Sequence, residues 1–81
     1  MSPKEIKTYL TETYGLCKHD PIKMSKACKS LAKKHKCSPT DMFYFIVEDV
    51  SIPELYTTSY GFHTENGRAI KKEFSNVYNS L

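Results

Sequence analysis

Apolar residues recur at helical spacing in four stretches of the chain. Ile6, Tyr9 and Leu10, continued by Thr13, fall at i, i+3, i+4 and i+7, the period of one helix face. Met24, Ala27, Cys28, Leu31, Ala32 and His35 form a longer stripe of the same kind, with Lys26, Lys29, Lys33 and Lys36 along the other side. Met42, Phe43, Ile46, Val47 and Val50 make one continuous apolar arc in a third stretch, which leaves Phe45 between Asp41 and Asp49 on the polar side and Tyr44 beside Glu48. Ile70, Phe74, Val77, Tyr78 and Leu81 give the fourth, with Arg68, Lys71 and Lys72 outward.

Local start and stop signals bound these stretches. Ser2-Pro3-Lys4-Glu5 reads as a capping box with proline at the first helical position. Gly15 followed by Leu16 reads as a stop with its apolar contact, so the first helix is expected over 3–14. Asp20-Pro21 and Ser38-Pro39 repeat the cap-plus-proline start. The third helix is expected over 39–50, where Ser51-Ile52-Pro53 breaks it. Gly61 and Asn66-Gly67 read as loop punctuation, so the last helix is expected over 68–81. The sum is an all-α, compact bundle of about four helices in one domain, 1–81, containing a helix-turn-helix-like pair.

Composition narrows the class. Forty per cent apolar and 12% aromatic residues suffice to fold 81 residues, so wholesale disorder is not expected. No apolar run reaches spanning length and MSPKEIK lacks a signal-peptide core, which points to a cytoplasmic chain without a membrane role. Three cysteines, an odd number, point to reduced thiols. The net charge of +3 is unevenly spread. Residues 1–36 carry nine lysines against three acids, whereas 37–67 carry five acids and neither lysine nor arginine. Such a division suits a dipolar surface with two kinds of contact.

The mirror-image stretch Cys17-Lys18-His19 … His35-Lys36-Cys37 invites a metal reading. Helical periodicity removes it: at about 1.5 Å per residue His19 and His35 stand about 24 Å apart. Zinc ligands sit about 2.0–2.3 Å from one ion, and a structural site needs four. Cys28 points with Leu31 into the core stripe. No metal or cofactor is expected. Cys17 near His19 is too little for a nucleophile–base pair, and no glycine-rich phosphate loop occurs. The expectation is therefore a non-enzymatic protein. Ten aromatics exceed what so small a core needs, which favours a protein-binding surface and leaves room for a dimer.

Two binding surfaces follow. The second and third helices resemble a helix-turn-helix, but the third offers no Arg, Lys, Asn or Gln for base edges and brings Asp41, Glu48 and Asp49 towards phosphates. Base reading is not expected there. Lys26, Lys29, Lys33 and Lys36 are the candidates for non-specific phosphate contact. Tyr44, Phe45 and Glu48, with Ile52, Leu55 and Tyr56 at the break, are the candidates for gripping a protein.

Residues 35–56, HKCSPTDMFYFIVEDVSIPELY, and 70–81, IKKEFSNVYNSL, resemble the core of the small late-transcription coactivators of T4-type phages. The matching residues are Ser38, Phe45, Glu48, Ile52, Pro53, Ile70, Lys71, Glu73, Asn79 and Leu81. The resemblance implies an adaptor in the host cytoplasm that docks on bacterial RNA polymerase and assists a phage-encoded promoter-recognition factor. One departure is plain: the acidic, hydrophobic C-terminal segment that serves the sliding clamp has no counterpart, since no acid follows Glu73. Two alternatives share the same residues, a DNA-binding protein that uses the second-helix lysines and an inhibitor of a host enzyme.

Overall fold

The computed structural model describes residues 2–50 and 65–81. Four helices lie in this order: α1 Pro3–Tyr14, α2 Pro21–His35, α3 Pro39–Glu48 and α4 Glu65–Asn79. The all-α class is as the periodicity predicts. α2 is the central element and packs against α1, α3 and α4.

Each of the first three helices starts on a side-chain cap followed by proline. Ser2 Oγ accepts from the Glu5 N–H while the Glu5 carboxylate accepts from the Ser2 N–H, which completes the capping box. Those hydrogen bonds to Ser2 hold the Glu5 carboxyl below its usual range. Asp20 Oδ1 accepts from Ile22 and Lys23 N–H at the start of α2, and Ser38 Oγ accepts from the Asp41 N–H at the start of α3. α1 ends on Gly15 in the left-handed region, φ 80°, where a residue without Cβ carries no penalty.

The core joins all four helices. Ile6 and Leu10 come from α1, Met24, Ala27, Cys28, Leu31 and Ala32 from α2, Met42, Phe43, Phe45 and Ile46 from α3, and Ile70 and Phe74 from α4. Rings from α1 and α3 meet edge to face, Tyr9 with Phe43 at 5.6 Å and with Tyr44 at 5.5 Å between centroids. α4 is tied to the start of α2, where the Asp20 N–H donates to the Tyr78 hydroxyl at 2.9 Å.

Four expectations are corrected. Phe45, expected on the polar side of α3, is fully buried. At about 100° per residue the buried arc runs from Phe45 through Met42 and Ile46 to Phe43, about 160°, so Phe45 is the edge of a wide covered arc. Val50, expected in the apolar arc, is 52% exposed. α3 ends at Glu48, and Asp49 adopts a left-handed conformation that turns the chain away. Leu16, expected to contact the end of α1, is 54% exposed. Asn66-Gly67, expected as loop, lies in the first turn of α4, with Gly67 buried. Burial there outweighs the roughly 1 kcal/mol helix deficit of glycine.

Candidate functional site

Of the six residues expected to grip a protein, Tyr44 and Glu48 share the outer side of α3. Both are half-buried and face α1. Phe45 lies on the inner side and offers nothing to a partner in this fold. Ile52, Leu55 and Tyr56 fall outside the described residues. Glu48 is occupied by its own chain: Oε1 accepts from the Tyr9 hydroxyl and, at 2.9 Å, from the Tyr14 hydroxyl. The carboxylate favours the neutral phenols, which pushes Tyr9 up to about 12 and raises Tyr14 as well. Asp49 faces Lys71 of α4 at 3.7 Å. The acidic face of α3 is thus largely consumed by α1 and α4.

The open apolar surface lies next to it. The C-terminal half of α1, the α1–α2 connection, the start of α2, α3 and α4 enclose a groove of about 340 Å³. Leu10, Met24, Ile46, Val47 and Phe74 form its floor, and Tyr14, Leu16, Lys18, His19, Lys71 and Ser75 its sides. Tyr14 and Leu16 are 43% and 54% exposed, enough apolar surface beside a concavity to mark a contact site. The sequence reading missed this groove. Its signal was available: Tyr14 lies four residues after Leu10, so the apolar stripe of α1 continues to the helix end, and Leu16 extends it past the glycine.

The four candidate lysines lie together. Lys26, Lys29, Lys33 and Lys36 are all exposed on the outer side of α2, and none pairs with a carboxylate among the described residues. Lys34 is different. It pairs with Glu73 of α4, which also meets His35 Nε2 at 2.9 Å. The hydrogen bond from Lys34, then that from His35, holds the Glu73 carboxyl below its usual range. At about 100° per residue Lys34 sits at the edge of the buried arc while Lys33 sits opposite it, which explains why one is paired and the other is not.

The mirror-image cysteines and histidines do not converge. Cys17 Sγ donates to the His19 carbonyl at 3.0 Å, His35 is engaged with Glu73, and among the described residues no three metal-ligating side chains cluster. All three cysteines are free thiols, and burial pushes Cys28 up to about 12. No helix among the described residues is long and apolar enough to cross a membrane. No family model, curated protein or solved structure matches this chain.

Proposed function

We propose that this is a small non-enzymatic regulatory protein, a transcription-associated adaptor that grips bacterial RNA polymerase through the groove between α1, α3 and α4. The observation that carries the reading is the groove itself, an apolar floor flanked by exposed Tyr14 and Leu16. A groove of this kind suits the apolar anchors of an amphipathic helix. Lys18 on its side suits a carboxylate next to those anchors. The identity of the partner rests on the resemblance of residues 35–56 and 70–81 to the T4-type coactivators. Compared with the sequence reading, the grip moves from the α3 face around Phe45 to the neighbouring groove, of which Ile46 and Val47 of α3 are part.

Purified RNA polymerase core enzyme, passed over the immobilised chain, tests this. Retention of the core enzyme is expected, and Leu16→Asp should weaken it about thirty-fold, the ~2 kcal/mol of a central apolar anchor. Tyr44→Ala should matter less, because Tyr44 packs on Tyr9. Core enzyme that is not retained would end the adaptor reading; stoichiometric capture of another single enzyme from a bacterial lysate would replace it with the inhibitor reading. Equal retention by Leu16→Asp would show that the groove is not the grip.

A further inference from the structure

The outer side of α2 carries charge that meets no carboxylate among the described residues. Residues 21–40 contain no aspartate or glutamate, so Lys26, Lys29, Lys33 and Lys36 stand three or four residues apart with no acid between them. Like charges at this spacing repel along a helix. The stripe is nonetheless solvent-facing over its length, and its ends lie about 15 Å apart at about 1.5 Å per residue.

Lys36 adds an independent observation. It is the C-cap of α2 and adopts the left-handed conformation, φ 58°. Glycine or asparagine is the usual occupant of that position because a Cβ is strained there. α1 uses Gly15 and α3 uses Asp49 in the equivalent place. The lysine there extends the stripe by one cation.

We propose that Lys26, Lys29, Lys33 and Lys36 form a docking surface for the phosphate backbone of duplex DNA, without base readout. Two features select this partner among polyanions. α2 contains no aromatic residue, so a single strand would find no stacking platform on this face. Among the described residues of α2, Ile22 is the one exposed large apolar side chain, which is too little to seat a helix in a lipid surface. The site goes beyond the adaptor reading and is separate from the groove. Met24, which lines the groove, and Lys33 lie on opposite sides of α2, so both partners can be held at once.

The test is the salt dependence of binding to a short duplex oligonucleotide of arbitrary sequence, read by fluorescence anisotropy from about 50 to 200 mM KCl. Four phosphate contacts give a slope of log K against log[KCl] of about −3.6. Replacing Lys26, Lys29 and Lys33 together by Gln should reduce the slope to about −0.9 and leave retention of RNA polymerase unchanged. Lys36→Gly should lower the slope by about 0.9 while raising the melting temperature, since the left-handed strain is relieved. Unchanged affinity and slope in the triple variant would overturn the proposal. So would tighter binding to the single strand of the same sequence, or binding to phosphatidylserine vesicles but not to the duplex.

Discussion

On α3, Glu48 accepts from Tyr9 and Tyr14 and Asp49 faces Lys71. On α2, four lysines meet no carboxylate among the described residues. The two helices are neighbours with opposite charge, and the chain treats them differently. α3 turns its charge and its aromatics inward, to α1 and α4. α2 turns its apolar residues to all three partners and leaves these four lysines without a carboxylate among the described residues. A charged face that is paired within the chain holds the fold together, and a charged face that is not paired is available to something else. The residue types of the two faces do not make this distinction; their partners do.

The largest effect should come from the residue that most separates the two readings of α3. Phe45→Ala is expected to cost about 3–5 kcal/mol of unfolding free energy in guanidinium titration, as for a fully buried ring. A change within about 0.5 kcal/mol would return Phe45 to the surface. Glu48→Gln should cost about 1 kcal/mol, the worth of its hydrogen bond with half-buried Tyr9. It should also move Tyr9 from about 12 back towards 10.0, as read by ultraviolet titration of tyrosinate. A raised folded-state value means stability that is complete below pH 10 and is lost as pH rises towards 12. The alkaline limb of the stability curve should therefore flatten in Glu48→Gln; an unchanged limb would show that Glu48 is not consumed by α1.

Glu73→Gln sharpens the comparison from the α2 side, with an effect below about 1 kcal/mol for a partly exposed pair. The lowered value of Glu73 means stability present above the unfolded value of 4.5 and lost as pH falls below it. The acid limb should flatten in the variant. An identical limb would mean that Lys34 is as unneutralised as Lys33. The smallest effect is chemical. A thiol reagent at neutral pH should modify half-exposed Cys17 and Cys37 and spare Cys28, which burial pushes to about 12. Rapid loss of all three thiols would contradict the burial of the inner side of α2.

Much of this fold is legible in the sequence because its signals are local. Capping residues, prolines and the 3.6-residue period mark α1 at both ends and the start of α2. The errors fall where tertiary contact decides. A wheel drawn for α3 does not report how wide the covered arc is, and Phe45, at the edge of that arc, is buried. α4 begins before the Asn-Gly pair, with Gly67 buried, and no local rule reports that. The lysine stripe was readable from spacing alone, since exposed residues on a long helix obey the period. The groove was not, because it is made by five separate segments and only Tyr14 and Leu16 hinted at it.

Hydrogen exchange of the chain bound to RNA polymerase core enzyme tests the adaptor most directly. Slowed exchange over residues 10–19 and 71–75, the edges of the groove, with residues 26–36 of α2 unchanged from the free chain, is the expected result. Exchange unaltered at both groove edges, or slowed only along α2, would contradict a grip through the groove.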